Sequence, residues 1–596
     1  MIRFLAWCRA VLLSVVTGLA KFVVLIAILV LVLAGISLAR GDGLASNMVL
    51  SLDLRDSISD SAAGPASFLT SRKLTVMDLV LALDAAGRDG RIKGLVMRLG
   101  DGAVSTAQAQ EIAAALKRFR ARGKFVIAQA DAFNGAGLGD YVAASAADQV
   151  WMQPKSNFAP AGTGGGEIFL RGLLDKVGAQ PQIAKRAEFK SAADMFMEKD
   201  ITAPDRQQLQ ALMQSVYDSA VADIAAARHL PRAAVVAALE ASPQFSEDAR
   251  KAKLIDRIGY DDQIEAEAAR RAGTGVKTVK MADYIRSREG EGGFGAANIA
   301  IVEASGEIHD GTARNSPFTA SGGIFGDDMA AAVRAAARNA SVKAIVLRVD
   351  SPGGSVTASD KILHAVKAAQ ARGKPVVVSM GSVAASGGYY ISASADRIVA
   401  EPATITGSIG VLTGKVSLAG TAKLVGVGTA EVAVGANTLM DSPFSAYTPQ
   451  QWAALNREAD VIYDDFTAKV AKGRKLPLEQ VRAVAKGRVW SGADAKAHRL
   501  VDEMGGFWTA AGLAASLGKI APADMSFRVY PQRRGILGGL SLMLERLDAR
   551  LALWGRIESL LASPAADALL GEISALPAGT PGSAVQLRAA HLPRGL

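Results

Sequence analysis

Two residues that could act as a nucleophile and its base lie far apart in this sequence of 596 residues. Ser386 lies in A-A-S-G-G, where small neighbours would let a peptide backbone approach, and Lys190 lies beside Phe189 in F-K-S-A-A. A serine hydroxyl needs a base, and a lysine amine can be that base only if burial lowers its pKa from about 10.4 towards about 7–8. The pair indicates attack on a carbonyl by a Ser/Lys dyad.

Each of these residues also has an ordinary structural interpretation. Most Ser-Gly-Gly triplets are turns, and an isolated lysine is by default a solvated surface residue. The serine also departs from the G-x-S-x-G nucleophile elbow, because Ala384 occupies the position of the first glycine. The local sequence alone therefore leaves both interpretations open.

A glycine-rich turn between a predicted strand and a predicted helix supplies candidate backbone donors. In D-S-P-G-G-S (Asp350–Ser355), Gly353 and Gly354 allow N–H groups to face a ligand, as an oxyanion hole requires. A plain β-to-α turn is the alternative. The equivalent residues of the first half are Ala103 and Val104, so the fold itself does not require two glycines here.

The chain is an internal duplication. R-I-K-G-L-V-M-R-L (Arg91–Leu99) corresponds to S-V-K-A-I-V-L-R-V (Ser341–Val349) at an offset of 250 residues. After a slip of two residues, Asp140–Pro154 corresponds to Gly388–Pro402. The correspondence indicates two duplicated domains.

The two copies have lost complementary parts of one candidate site. The second copy has Ser386 where the first has Leu138, and the first copy has Lys190 where the second has Thr438. Duplicates kept only for structure would have no reason to diverge in this way. We therefore expect one dyad shared between the two copies.

Strands and helices alternate in both copies, which predicts an α/β fold with a buried, largely parallel sheet in each. Each copy opens with a strand, Asn47–Leu54 or Asn298–Ala304, and Tyr389–Ala395 reads as a helix. The expected organisation has five parts: an N-terminus and membrane anchor (1–44), a first repeat with the lysine (45–285), a linker (286–297), a second repeat with the serine (298–534) and a helical, partly disordered extension (535–596).

Composition excludes several classes of function. The net charge is +10, but basic residues alternate with acidic ones and no basic run is interleaved with aromatics, so nucleic acid is not an expected partner. Cys8 is the only cysteine, which excludes an intrachain disulfide and a multi-thiolate metal site. The five histidines are scattered without ligand spacing, so we expect neither a metal nor another cofactor.

An apolar segment near the N-terminus predicts a membrane anchor. Phe22–Ala39 is a run of 18 residues without a charge, which suits a bilayer span better than the shorter core of a cleaved signal peptide. Arg3, Arg9 and Lys21 precede it. The positive-inside bias places the N-terminus in the cytoplasm and the two repeats across the membrane, in the periplasm or outside the cell of a bacterium.

Several segments resemble the signal peptide peptidase A (protease IV) family of serine proteases in its long, tandem-duplicated form. The N-terminal lysine motif of that family resembles F-K-S-A (Phe189–Ala192). Its C-terminal half resembles L-R-V-D-S-P-G-G-S-V-T-A-S-D (Leu347–Asp360), G-K-P-V-V-V-S-M-G (Gly373–Gly381), A-A-S-G-G-Y-Y-I-S (Ala384–Ser392) and T-G-S-I-G (Thr406–Gly410). The likeness covers most of residues 45–530.

The resemblance implies a crotonase-like fold shared with Clp protease and a role for each site residue. Ser386 would be the nucleophile, Lys190 the general base, and Ser408 the residue that orients the lysine amine. The N–H groups of Gly354 and Gly387 would hold the oxyanion. The first copy has Pro160 opposite Ser408 and so lacks the nucleophile side, while Asp350 stands where some relatives have asparagine. The tail after about residue 535 matches nothing in the family.

The function that the resemblance implies is a membrane-anchored serine endopeptidase that degrades cleaved signal peptides and other apolar peptide fragments. Family members of this length form tetramers on the lipid bilayer, so a homotetramer is expected. Crotonase chemistry on acyl-thioesters is one alternative, but it needs no Ser/Lys pair. A non-catalytic membrane scaffold is the other, and it predicts that a member of the dyad is missing.

Overall fold

The computed structural model describes residues 44–60, 74–288, 297–313 and 322–531, together with positions 21 and 25. Apart from position 25, the expected anchor Phe22–Ala39 lies outside the described residues, as does the expected extension 535–596. In the described ranges, no helix has both the length and the apolar character needed to cross a bilayer. The described elements all belong to one compact unit that ends at Pro531.

Strands form the centre of both repeats. Those of the first repeat are β1 (Met48–Asp53), β2 (Ile92–Arg98), β3 (Phe125–Ala130), β4 (Gln149–Met152), β5 (Asn157–Phe158), β6 (Gln180–Arg186), β7 (Gln244–Phe245), β8 (Arg257–Ile258) and β9 (Lys277–Lys280). Those of the second are β10 (Ile299–Ser305), β11 (Ile308–His309), β12 (Ile324–Phe325), β13 (Ala344–Ser351), β14 (Val376–Ala385), β15 (Arg397–Ala400), β16 (Ile405–Gly407), β17 (Val411–Ser417), β18 (Val489–Ser491), β19 (Glu503–Met504) and β20 (Phe527–Tyr530).

Helices surround these strands. Those of the first repeat are α1 (Val76–Arg88), α2 (Thr106–Arg120), α3 (Gly139–Ser145), α4 (Arg171–Lys176), α5 (Asp194–Met197), α6 (Ala203–Arg228), α7 (Arg232–Glu240), α8 (Ser246–Lys251), α9 (Asp261–Ala272) and α10 (Met281–Arg288). Those of the second are α11 (Gly326–Arg338), α12 (Val356–Ala371), α13 (Gly387–Ser392), α14 (Ala419–Leu424), α15 (Pro449–Arg474), α16 (Leu478–Val484), α17 (Gly492–Ala497) and α18 (Phe507–Leu517).

The two repeats contain equivalent parallel sheets. The first has the strand order β8-β4-β3-β2-β1-β9, and the second contains β19-β15-β14-β13-β10-β20. In the second sheet, β14 also pairs with β16, which carries β18 as an antiparallel neighbour. The predicted α/β architecture with a parallel sheet in each repeat is therefore confirmed.

Apolar runs and polar caps explain the elements that carry the site. β13 reads A-I-V-L-R-V-D-S and is buried along nearly its whole length, as a strand covered on both faces must be. The helix that follows, α12, begins where the Ser355 side chain accepts the N–H of Ala358. A serine at this position satisfies a donor that has no partner within the helix. The D-S-P-G-G-S turn is therefore held between a buried strand and a capped helix.

The repeats pack together through one of the hydrophobic clusters and are joined by hydrogen bonds. The buried face of α18 belongs to the same hydrophobic cluster as the helices of the first repeat. Strand β6 of the first repeat pairs antiparallel with β17 of the second, with Arg186 opposite Val411. This cross-repeat pair lies just before Lys190 and just after Ser408 in the chain, so it brings these two segments together.

A buried ion cluster also joins the repeats. Arg348 on β13 is 1% exposed and pairs with Asp60 (2.6 Å) and Glu111 (2.8 Å), both from the first repeat. Removing one partner of such a pair leaves a buried charge without compensation and is strongly destabilising. The cluster therefore links β13, which leads into the D-S-P-G-G-S turn, to the first repeat.

Element boundaries differ slightly from the sequence expectations. The expected opening strands are β1 and β10, and the helix expected at Tyr389–Ala395 begins earlier, at Gly387, and ends at Ser392. Helix α10 extends to Arg288, so the first three residues of the expected linker are helical. The linker residues 289–296 lie outside the described part of the chain.

Candidate active site

Ser386 occupies the sharp turn between β14 and α13. Its backbone has φ 52° and ψ −115°, a conformation that residues with a side chain rarely adopt. The Ser386 N–H donates to the Gly407 carbonyl (2.9 Å), which fixes the turn against β16. Strained backbone of this kind is common at functional sites, where the surrounding structure holds it in place.

Lys190 brings its amine to this serine from the other repeat. Its side chain is 5% exposed, and Nζ lies 3.1 Å from Ser386 Oγ. The same Nζ donates to the side-chain oxygen (2.9 Å) and the carbonyl oxygen (3.0 Å) of Ser408. The structure thus brings Ser386, Lys190 and Ser408 together, whereas an isolated lysine would by default be solvated.

Burial makes the Lys190 amine easier to deprotonate. Desolvation lowers its pKa from 10.5 to about 8, because the charged form loses hydration. The two carboxylates nearest in sequence are engaged elsewhere, since Glu188 pairs with Lys486 (2.9 Å) and Asp194 pairs with Lys185 (2.5 Å). The neutral amine that a general base requires is therefore accessible near pH 8.

A close approach of two backbones holds Lys190 in this position. A β-carbon built on Gly487 would lie only 2.5 Å from the Lys190 β-carbon, and Gly487 has a positive φ of 74°. The Gly487 N–H donates to Ile409, one residue after Ser408 (2.8 Å). Only glycine fits here without displacing the lysine. No sequence motif indicates Gly487, because its contact with Lys190 depends on packing between the repeats.

The glycines expected to form an oxyanion hole lie against each other. A β-carbon built on Gly387 would lie 3.1 Å from the Gly354 nitrogen. The Gly353 carbonyl accepts the Ile308 N–H (2.8 Å). Because a trans peptide bond places its carbonyl and its N–H on opposite sides, the Gly354 N–H points away from Ile308. Gly387 is the first residue of α13, where an N–H has no acceptor within the helix.

Asp350, the first residue of the D-S-P-G-G-S turn, contacts the backbone of β14. It is largely buried and accepts the Val383 N–H (2.9 Å). Burial, with a smaller contribution from the Asp60 carboxylate, raises the pKa of Asp350 to about 6. An aspartate here instead of the asparagine of some relatives therefore affects the hydrogen bond to Val383, and it leaves the N–H groups of Gly354 and Gly387 unchanged.

In the first repeat, the N–H groups of the equivalent turn already have a hydrogen-bond acceptor. The Asp140 carboxylate accepts the N–H groups of Gly100 (2.8 Å), Gly102 (2.9 Å) and Val104 (3.0 Å), which form the turn equivalent to D-S-P-G-G-S. Leu138 stands at the serine position, at the beginning of α3. A carboxylate thus satisfies donors that an oxyanion would otherwise need, and the first repeat retains no nucleophile.

Thr438, which the sequence register places opposite Lys190, lies away from the dyad. It is exposed, and its hydroxyl donates to the Val434 carbonyl (2.6 Å). The residue that the register pairs with Lys190 therefore makes its hydrogen bond within its own loop. Within the described ranges, no group of three or more histidine, cysteine or acidic side chains could hold a metal ion.

This arrangement is suited to acyl transfer. A buried amine in contact with a serine hydroxyl can accept its proton, and two backbone N–H groups beside that serine can stabilise an oxyanion. A parallel α/β fold in which a serine precedes a helix and contacts a buried lysine is the arrangement expected of a serine hydrolase of the Clp-protease-like class.

The comparisons with known proteins agree with this class. The family model described as Peptidase family S49 matches residues 118–275 and 368–521, and the model described as Clp protease matches residues 325–405. The chain belongs to peptidase family S49, and it is a homologue of its serine proteases.

Relatives match across both repeats. The protein named Protease 4 of Salmonella typhi is 32% identical over 75% of this chain and 72% of its own length. Protease 4 of Haemophilus influenzae is also 32% identical, over 75% of this chain and 73% of its own. The chloroplastic serine protease SPPA of Arabidopsis thaliana is 29% identical over 78% of this chain and 68% of its own.

Proposed function

We propose that this chain is a serine endopeptidase with a Ser/Lys dyad shared between its repeats. Ser386 is the nucleophile, Lys190 the general base, and Ser408 orients the amine. The N–H groups of Gly354 and Gly387 hold the oxyanion. The observation that carries the proposal is the 3.1 Å separation between Lys190 Nζ and Ser386 Oγ at a lysine that is 5% exposed.

The proposed reaction has two steps that use the same residues. The neutral amine of Lys190 takes the hydroxyl proton as Ser386 Oγ bonds to the carbonyl carbon of the substrate. The resulting oxyanion collapses, the peptide C–N bond breaks, and the ammonium of Lys190 gives its proton to the leaving amine. A water molecule then attacks the ester, again with Lys190 as base, and Ser386 regains its proton.

We propose that the substrates are apolar peptides such as the remnants of cleaved signal peptides. The reactive serine is flanked by Ala384, Ala385, Gly387 and Gly388, which leave room for an extended peptide backbone. Extended peptides bind such sites by backbone hydrogen bonds, and apolar pockets supply selectivity.

We propose further that the chain is anchored in a bacterial inner membrane by Phe22–Ala39, with both repeats on the periplasmic or outer side. The absence of charge from that segment supports this. A homotetramer is proposed as the working form. It is supported by apolar side chains left exposed in and after α14, among them Val432 and Val434, each 94% exposed.

A fluorophosphonate probe tests the dyad directly, because it forms a covalent bond only with an activated serine. The full-length protein should be labelled, and Ser386→Ala and Lys190→Ala should each abolish labelling. Ser382→Ala and Lys199→Ala remove a serine on the same strand and an exposed lysine of the same repeat, and both should label normally. Normal labelling of Lys190→Ala would exclude this lysine as the base.

A further inference from the structure

Gln208 lies beneath the loop that carries Lys190. It belongs to α6 of the first repeat and is 2% exposed. Its Nε2 donates to the Phe189 carbonyl (3.0 Å), directly before the lysine, and lies 2.9 Å from Ser191 Oγ, directly after it. One side-chain amide therefore holds both neighbours of the general base.

The other end of the same amide contacts the second repeat. Gln208 Oε1 accepts the Val489 N–H (3.2 Å) of β18. Val489 pairs with Gly407 on β16, and the neighbouring Arg488 carbonyl accepts the Ser408 N–H (2.7 Å). The amide thus connects the lysine loop to the backbone that positions Ser408.

The chemistry of this contact requires an amide. Gln208 uses its carbonyl as an acceptor and shares two N–H hydrogens among the Phe189 carbonyl, Ser191 Oγ and Asp205 Oδ1 (2.8 Å). A buried carboxylate lacks these donors, and an apolar side chain lacks both functions. Helix α6 has a separate contact with β18, since Ser215 Oγ and Ser491 Oγ lie 2.7 Å apart. Docking of the helix therefore does not depend on Gln208 alone.

We propose that Gln208 is a positioning residue for the general base, and that it couples the Lys190 loop of one repeat to the Ser408 strand of the other. The inference rests on the proposed Ser386/Lys190 peptidase and adds a residue to it. Loss of the amide would let the loop move relative to Ser386, and a misplacement of about 1 Å can lower a rate by about 100-fold.

The test compares two buried glutamines that both bridge the repeats. Gln110 is 6% exposed, accepts the Ala403 N–H (2.9 Å) and donates to Asp223 (2.8 Å), and it contacts neither Lys190 nor its neighbours. Gln208→Leu and Gln110→Leu should lower the melting temperature of the full-length protein by similar amounts. Gln208→Leu should also lower kcat for a short apolar peptide by about 10–100-fold with KM nearly unchanged. Gln110→Leu should retain the kcat of the unaltered protein.

The pH dependence of kcat distinguishes a positioning role of Gln208 from a general loss of stability. The charged groups around the lysine loop include Arg488, Asp205 with its hydrogen-bonded neighbour Glu167, and the pairs Glu188–Lys486 and Lys185–Asp194. A loosened loop would admit water to the Lys190 amine, which favours its charged form and raises its pKa. The pH at which kcat is half-maximal should therefore rise in Gln208→Leu and not in Gln110→Leu. Gln208→Glu keeps the acceptor for Val489 but loses both donors. It should also be impaired, with a raised midpoint caused by the added negative charge.

The outcomes distinguish this inference from the proposed function. If the unaltered protein is not labelled by the fluorophosphonate, or if Lys190→Ala is fully active, the dyad itself is wrong. If the dyad is active but Gln208→Leu keeps both kcat and the pH midpoint, and Gln208→Glu keeps kcat above its own midpoint, the positioning role is overturned. If Gln208→Leu does not fold, Gln208→Glu decides the question by its kcat measured above its own pH midpoint, because the added charge shifts the midpoint whether or not the loop moves.

Discussion

Lys190 Nζ lies 3.1 Å from Ser386 Oγ although 196 residues separate the two in the sequence. The serine comes from the second repeat and the lysine from the first, and the antiparallel pair β6–β17 fixes their relative position. Neither repeat contains both groups. The Ser386–Lys190 contact is therefore composite, and the equivalent turn of the first repeat is occupied by the Asp140 carboxylate.

Loss of either dyad member should stop turnover, and loss of both should do little more. A nucleophile and its base act as a unit, so single removals cost several orders of magnitude in kcat and are not additive. Hydrolysis of an apolar peptide by Ser386→Ala, Lys190→Ala and the double variant measures this. Independent, multiplicative losses would show that the two residues do not act in one step.

Activity should rise with pH along one ionisation with a midpoint near 8. Burial lowers the pKa of Lys190 to about 8, and only the neutral amine can accept the serine proton. The kcat of the unaltered protein, measured across pH 6–10 under conditions where chemistry is rate-limiting, should therefore be low below the midpoint and level above it. A profile that is flat throughout, or that falls with rising pH, would contradict a lysine base.

Replacing Lys190 by methionine should abolish activity but raise stability at pH 7. The pKa of Lys190 in the folded state, about 8, lies below the 10.5 of an unburied lysine, so the unfolded chain binds the proton more tightly. The resulting penalty is fully present below pH 8 and disappears as the pH rises from about 8 to about 10.5. It corresponds to about 3 kcal/mol as an upper value.

Loss of hydrogen bonds to Ser408 offsets part of this gain. We therefore expect the free energy of unfolding of Lys190→Met, measured with urea at pH 7, to exceed that of the unaltered protein by about 1–3 kcal/mol. The difference should shrink when the same measurement is made at pH 10. A difference that stays the same between pH 7 and pH 10 would mean that the lysine carries no burial penalty.

The sequence predicted the residues at the centre of this site, but not the residues that hold them in position. Ser386, Lys190 and Ser408 stand in short local motifs, and strand and helix periodicity predicted the two parallel sheets. Gln208 and Gly487 stand in no such motif, because their contacts form only when the repeats pack together. For the same reason, no local pattern indicates that Arg348 pairs with Asp60, which lies 288 residues away.

Gly487→Ala should inactivate the enzyme while leaving it folded. The new β-carbon would lie 2.5 Å from the Lys190 β-carbon, so the lysine loop must move away from Ser386. Gly123→Ala is the matched control, since Gly123 has a similar φ of 78° but nothing within 4 Å of a built β-carbon. Both variants should lose about 1 kcal/mol of stability from backbone strain. Only Gly487→Ala should lose labelling by the fluorophosphonate, and equal labelling of the two would contradict the role of this close approach.

The proposed enzyme should cut short apolar peptides and unfolded chains but leave stable folded proteins intact. Its serine lies at a site assembled between two repeats, where a substrate backbone must enter in extended form to reach Ser386 Oγ. A folded domain cannot present such a segment without local unfolding. Incubation with a disulfide-stapled globular protein, and with the same protein reduced and alkylated, measures this at matched concentrations. Cleavage of only the reduced form is the expected result. Equal digestion of both forms, abolished by Ser386→Ala, would show that the site is open enough to accept folded substrates.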